Sequence, residues 1–116
     1  LDVLNPDLRW LLRDPRKRWA RTKFKHPVTG DPMIYSTNHV YDGKRQIAHI
    51  KIYYECPENP ALEQTVSLAH RQFFPQELRL LLSIHGLRVE REYGDFNRDP
   101  FESDSDSQIL VCRPID

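Results

Sequence analysis

Glycine and cysteine are scarce in this sequence. Its 116 residues include four glycines and two cysteines, and no apolar run approaches the length of about 18 residues that crosses a bilayer. A Gly-rich turn that cradles phosphate or a dinucleotide needs several closely spaced glycines. Gly30, Gly43, Gly86 and Gly94 are far apart, and we interpret them as turn, helix-stop and loop residues. The sequence therefore predicts neither a nucleotide-binding turn nor a membrane-spanning helix.

Net charge is also absent. The chain has 17 Lys and Arg residues and 17 Asp and Glu residues, so no overall field attracts nucleic acid or an anionic membrane. The local basic cluster at residues 13–21 is interpreted as a solvated helix end. Cys56 and Cys112 form no C-x-x-C motif, which favours reduced thiols in a cytoplasmic protein. The sequence begins at Leu1 rather than Met and has no secretory pattern, so we expect a part of a longer protein.

Motifs for metal binding and covalent catalysis are missing. The five histidines lack the H-x-x-x-H or H-E-x-x-H spacing of metal ligands. No G-x-S-x-G elbow occurs, and neither cysteine begins a helix. The sequence therefore predicts no metal site and no covalent nucleophile.

The clearest local pattern lies between residues 71 and 101. Pro75 suits a first helical position, leucines then follow at helical spacing, and Gly86 suits a left-handed helix end. Residues 87–93 and 108–113 alternate as strands, and we expect these two to pair antiparallel. The pattern predicts a helix that is followed by a closing strand pair.

The first two thirds of the chain predict a short helix and a sheet. Asn5 is expected to cap a helix that starts at Pro6 and ends at Pro15. Strands are expected at 19–26, 33–41, 45–56 and 62–74, with a two-residue Asp42-Gly43 hairpin loop. The predicted class is α+β, with an antiparallel sheet of about four to six strands, one main helix and a short N-terminal helix. We expect one domain over 1–116, divided into 1–18, a sheet over 19–74, and the helix and closing strands over 75–116.

An aromatic strand face is the best candidate for a substrate pocket. Strand alternation places several tyrosines on the same face as His39, whose ordinary pKa suits a general base. The candidate substrate-binding residues are Tyr35, His39, Tyr41, Tyr54, Arg71, Phe73 and Tyr93. His39 is the candidate catalytic residue. The same face is also explained by a sheet core or a dimer contact, and both readings stay open.

The region from residue 71 onward resembles a known family. Its E-L-x-x-L-L-x-x-x-G-L-x-V run and the following Y-G-D-F resemble the C-terminal part of class I S-adenosylmethionine-dependent small-molecule methyltransferases. The matching residues are Arg71, Phe73, Glu77, Leu78, Leu81, Leu82, Gly86, Leu87, Val89, Tyr93, Gly94, Asp95 and Phe96. The opening L-D-V-L-N-P is similar to the end of the fifth core strand of that family.

The resemblance implies a specific role for each segment. Residues 19–74 would be the inserted antiparallel lid that shapes the acceptor pocket, and the last two strands would be the sixth and seventh of the core sheet. The last strand would lie beside the fifth. The Gly-rich half that binds S-adenosylmethionine is absent, so we expect this chain alone to bind no cofactor and to be inactive by itself.

Two other classes remain open. A non-catalytic small-molecule-binding or dimerisation module would also explain an aromatic hairpin, and exposed strand edges predict a homodimer. A small cone-shaped α+β fold is a weaker alternative, because residues 1–19 are too short and Pro-broken for its helical hairpin. The acceptor would be a small molecule, and neither nucleic acid nor membrane is an expected partner.

Overall fold

The structure is a computed structural model that describes all 116 residues, and the chain divides into two compact units. One unit comprises residues 1–8 and 72–116, and the other comprises residues 9–71. The elements in chain order are β1 (Asp2–Leu4), α1 (Leu8–Leu11), β2 (Trp19–Lys25), β3 (Pro32–Asp42), β4 (Ile47–Glu55), β5 (Gln64–Arg71), α2 (Pro75–Ile84), β6 (Leu87–Tyr93) and β7 (Ser107–Pro114). The predicted α+β class is confirmed, with two antiparallel sheets, two α-helices and a single 3-10 turn. The single domain over 1–116 and its internal boundaries stay predictions.

The first unit contains a three-stranded sheet in the order β1-β7-β6. β7 pairs antiparallel with both neighbours, and the predicted closing strand pair is therefore confirmed. The expectation that the last strand lies beside the first segment of the chain is confirmed as well. Leu78 and Leu110 are buried in this unit.

The helix α2 begins and ends where its residues predict. Pro75 occupies its first turn, where a missing N–H is no loss, and Glu77 follows there beside the positive end of the helix dipole. After the last turn Gly86 has φ of +79°, a left-handed conformation that glycine adopts without strain. The strand β6 then starts at Leu87.

The Y-G-D-F motif has a structural explanation in the loop after β6. A Cβ atom on Gly94 would lie 2.5 Å from Ser105 Oγ and 3.1 Å from the carbonyl oxygen of Pro100, so only glycine fits. The Asp95 carboxylate accepts the backbone N–H groups of Asn97 and Asp99, at 2.9 and 3.1 Å. Hydrogen bonds from Asp99 hold the pKa of Asp95 below its usual value. The motif therefore orders this loop.

The second unit contains a four-stranded sheet in the order β2-β3-β4-β5. Its hairpin loop differs from the two-residue prediction, because Asp42 pairs with Ile47 and four residues lie between them. Asp42 Oδ1 accepts the N–H groups of Lys44 and Arg45, both at 3.1 Å, and this local turn competes with a tighter one. The partner of Tyr41 moves from Lys44 to Ala48, an even shift, so the predicted division of side chains between faces is unchanged.

Two elements are markedly shorter than predicted. The N-terminal helix covers only Leu8–Leu11, because the Asn5 side chain donates to the carbonyls of Ser103 and Ser105 instead of capping it. β5 covers Gln64–Arg71 rather than 62–74, because residues 60–62 form the 3-10 turn and pairing with β4 ends at Ile47.

One edge of this sheet is irregular. The pairing of β2 with β3 shifts between Trp19 and Thr22, and Ala20 has φ of +53°. The opposite edge, β5, pairs with β4 over eight consecutive residues without a shift. No helix of the structure has the length and apolar character that crossing a membrane requires.

Candidate binding groove on the four-stranded sheet

A groove of about 560 Å³ lies on the second unit. It is lined by Pro15, Asn38, His39, Val40, His49, Ile50, Lys51, Tyr53, Ser67, Leu68 and Ala69. The register pairs Asn38 with Lys51 and Lys51 with Ser67, so these side chains share one face of the sheet. This is the face opposite the tyrosines that the sequence singled out. Its volume falls in the range of roughly 300–1,000 Å³ that small-molecule sites occupy.

Tyr53 is the aromatic residue of the groove. Its hydroxyl donates to Asn38 Oδ1 at 3.0 Å, which fixes the ring and the amide together. The Arg18 guanidinium carbon lies 3.3 Å from the centre of the same ring, a cation–π contact. The tyrosine ring is thus held between a strand neighbour and a cation, as a pre-formed binding surface requires.

The Arg18 side chain is itself held in place. It donates to Glu55 Oε1 at 3.1 Å and to the buried hydroxyl of Ser36 at 3.3 Å. Because Glu55 neutralises Arg18, the charged group that remains among the groove-lining residues is the exposed Lys51. The groove therefore combines the phenol ring of Tyr53, two imidazole rings, an amide, a hydroxyl and an ammonium group. Such a surface suits a small organic molecule with hydrogen-bonding groups.

The predicted tyrosine face has a different character. Tyr35 and Tyr54 stand opposite each other with ring centres 5.8 Å apart, and Phe24 meets Tyr54 edge-on at 6.4 Å. Tyr41 lies further along the same face, opposite the buried Ala48. The structure thus brings the three tyrosines to one face, where they pack against aromatic and small neighbours. Their role in substrate binding stays a prediction.

His39 is 4% exposed and lies under helix α1. Its ring stacks on Trp10 with centroids 3.9 Å apart, and Nε2 lies 2.6 Å from the Trp10 carbonyl and 3.2 Å from the Leu11 carbonyl. Since carbonyls only accept, Nε2 carries the proton and donates it. Nδ1 is therefore the only ring nitrogen that could accept a proton from a substrate. The catalytic role of His39 stays a prediction.

The remaining candidates are placed apart from the tyrosines. Arg71 pairs with Ile47, which puts it on the groove face rather than the tyrosine face. Phe73 and Tyr93 belong to the first unit, where the Phe73 carbonyl accepts Gln108 Nε2 at 2.8 Å. The hydrogen bond that the Arg91 guanidinium donates to the Tyr93 side chain raises the pKa of Arg91. A common pocket for all seven residues stays a prediction.

Sequence reasoning missed the groove residues Asn38, Lys51 and Tyr53, and their neighbour Arg18. The available signal was Tyr53 alternating with Lys51 and His49, which places one ring among polar residues on the wetter face. Arg18 was grouped with the solvated basic cluster because its partners lie 18 and 37 positions away.

The chain's own residues do not fit an S-adenosylmethionine site of the Gly-rich type. Such a site uses a glycine turn that leads from a strand into a helix. Here Gly30 and Gly43 lie in turns between strands, Gly86 ends a helix, and Gly94 lies in a loop. Neither strand-to-helix connection, from β1 to α1 or from β5 to α2, contains a glycine. No cluster of three or more His, Cys, Asp or Glu side chains is arranged to hold a metal ion.

Comparisons with known proteins find similarity among solved structures. No protein-family profile and no curated protein matches the chain. Among solved structures, the chain is similar to the CcbJ methyltransferase from Streptomyces caelestis, with a TM-score of 0.72 and 18% sequence identity. The match covers 99% of this chain and 42% of that one. The chain therefore has the fold of part of a methyltransferase structure, and it spans less than half of that protein's length.

Proposed function

We propose that this chain is the lid and C-terminal part of an S-adenosylmethionine-dependent methyltransferase and that it shapes the pocket for a small-molecule acceptor. The observation that carries the proposal is the match of nearly the whole chain to 42% of a methyltransferase structure. Two further facts support it. The sheet order β1-β7-β6 is the one that the family resemblance implies for the fifth, seventh and sixth core strands. The four-stranded sheet follows β1 and precedes α2, the place of the inserted lid.

In this proposal the donor is bound by residues outside the chain. S-adenosylmethionine supplies the methyl group when it is bound there. The residues of this chain bind and orient the acceptor and exclude water from it. The groove around Tyr53 provides the flat ring and hydrogen-bonding groups for that task. No step of the transfer is assigned to a side chain of this chain.

Titration calorimetry with S-adenosylmethionine tests whether the donor is bound by residues outside this chain. We expect the 116-residue chain to give no binding heat, because no glycine lies between a strand and the helix that follows it. The protein encoded by the complete reading frame should bind the donor. Tight binding by the chain alone would overturn the glycine argument. A reading frame without a Gly-rich strand-turn-helix before Leu1 would overturn the proposal itself.

Substitution of two neighbouring tyrosines tests which face of the four-stranded sheet binds the acceptor. Tyr53 and Tyr54 are consecutive and point to opposite faces of β4, so Tyr53→Leu and Tyr54→Leu form a matched pair. In the full-length enzyme we expect Tyr53→Leu to raise the acceptor KM about tenfold, the loss of one aromatic contact of roughly 1.4 kcal/mol. Tyr54→Leu should leave KM within about twofold. The reverse pattern would favour the tyrosine face instead.

A second candidate is a free-standing binding or dimerisation module. The specific observation in its favour is the strand β5, whose eight residues are all exposed at the edge of the four-stranded sheet. The complete reading frame separates the two candidates, since this module requires no donor-binding half. Strand pairing at β5 is compatible with both.

A further inference from the structure

The strand β5 is an unprotected sheet edge. All eight residues from Gln64 to Arg71 are exposed, and none is proline, lysine or a carboxylate. Natural edge strands are usually guarded by such residues or by a bulge, because an open edge pairs with other chains. At the other edge, β2 has both a register shift and the charges of Arg21, Lys23 and Lys25. Only β5 offers a long regular edge in this sheet.

We propose that β5 pairs antiparallel with β5 of a second copy of this chain, about a two-fold axis that passes through Ser67. In this register, two residues that face each other lie equally far from Ser67 in the sequence, one before it and one after it. Val66 then lies opposite Leu68 of the partner subunit, and the same pair recurs across the axis. Both side chains are more than a third exposed in the single chain, at 38% and 37%. Their pairing removes four apolar side chains per dimer from water.

Charge complementarity selects the same register. Arg71 falls opposite Glu63 of the partner subunit, and the symmetry repeats this pair at the other end of the strand. A register centred on Val66 would set Leu68 opposite Gln64 of the partner subunit. One centred on Leu68 would set Val66 opposite His70 of the partner subunit. Of these three registers, the one centred on Ser67 places both the apolar residues and the opposite charges across from each other.

The pairing also completes the groove. Ser67 and Ala69 line its wall, and they lie on the outermost strand of the sheet. In the proposed dimer, Ser67 and Thr65 of the partner subunit continue that wall on the same face. Each groove is therefore bounded by side chains of both copies. This inference does not depend on the methyltransferase proposal.

Cysteine cross-linking tests the register directly. Directly opposed Cα atoms in an antiparallel pair lie about 4.5–5.5 Å apart, within disulfide range. In a Cys112→Ser background we expect Ser67→Cys to form a disulfide-linked dimer under mild oxidation, since the other native thiol, Cys56, is buried. Thr65→Cys is the matched control on the same face, because the two copies of that position are offset by roughly 13 Å. Equal cross-linking of both variants, or of Thr65→Cys alone, would overturn the register.

Light scattering on the unmodified chain completes the test. We expect a dimer whose Kd rises about tenfold in Arg71→Glu, because two attractive charge pairs become repulsive. Adding Glu63→Lys to that variant should restore the affinity. A monomer throughout a concentration series, or a dimer unaffected by Arg71→Glu, would overturn the proposal.

Discussion

Replacing His39 by alanine is expected to lower the free energy of unfolding by about 3 kcal/mol. The change removes a ring that is 4% exposed and stacked on Trp10 at 3.9 Å. It also removes the donor shared by the carbonyls of Trp10 and Leu11 at the end of the short helix α1. The Trp10 carbonyl still accepts the Arg13 N–H at 3.2 Å, so the loss falls mainly on the Leu11 carbonyl. Loss of a buried ring and an orphaned buried acceptor each cost on the order of 1–3 kcal/mol. Urea unfolding at neutral pH measures the sum.

Two variants make this measurement specific. His49→Ala is the matched control, since His49 lies exposed on the adjacent strand and should change stability by less than about 0.5 kcal/mol. His39→Gln keeps an N–H donor near the position of Nε2 and should recover most of the loss. A His39→Ala chain within about 1 kcal/mol of the parent would contradict the structural role.

The same variants bear on the predicted catalytic role. A general base contributes about 10²–10⁴-fold to turnover. In the proposed full-length methyltransferase, His39→Gln should therefore lower kcat by that factor if His39 is the base, although the chain remains folded. If His39 acts only beneath α1, His39→Gln should retain nearly full turnover. Comparing kcat with stability for one variant separates the two roles.

Replacing Gln108 by leucine is expected to cost about 3 kcal/mol. Gln108 is 2% exposed, and its Nε2 donates to the Leu4 carbonyl at 3.1 Å and to the Phe73 carbonyl at 2.8 Å. One amide thus ties β7 to the end of β1 and to the segment before α2. Leucine has a similar volume but donates nothing, so two carbonyls lose their partner while the packing is largely kept. Thermal or urea unfolding measures the loss.

The control for this change is Gln76→Leu, on the exposed side of α2. It makes the same chemical substitution at the surface and should stay within about 0.5 kcal/mol of the parent. Similar losses for the two variants would mean that the Gln108 hydrogen bonds contribute little. In that case the β1–β7 pairing would depend on its backbone ladder alone.

The sequence predicted those helix ends and strand bounds that depend on neighbouring residues alone. Pro75 and Gly86 mark the ends of α2 because each has one favoured position in a helix. Alternation gave β6 the same bounds as the structure, Leu87–Tyr93. The four-residue hairpin was missed because Asp42 prefers to bond its own turn. The Asp42-Gly43 dipeptide alone does not reveal which backbone N–H groups the Asp42 carboxylate will accept, and that choice sets the loop length.

The candidate site depended on partners that are distant in sequence. His39 meets Trp10 across 29 positions, and no periodicity reveals that its nitrogen is already engaged. Arg18 reaches Tyr53 and Glu55 only because β2 pairs with β3, and β3 in turn pairs with β4. The sequence identified two faces correctly and favoured the tyrosines. The groove lies on the other face, because its shape comes from how the strands are assembled.

The kinked edge at Ala20 limits how far this sheet can grow. A sheet with two receptive edges adds copies at both ends and has no natural size, which is the route to fibrils. Here the irregular backbone and the cations of β2 disfavour a further strand, while β5 is the edge at which we propose pairing. In the proposed dimer both outer edges of the joined sheet are copies of β2, so strand pairing through this sheet ends at two copies.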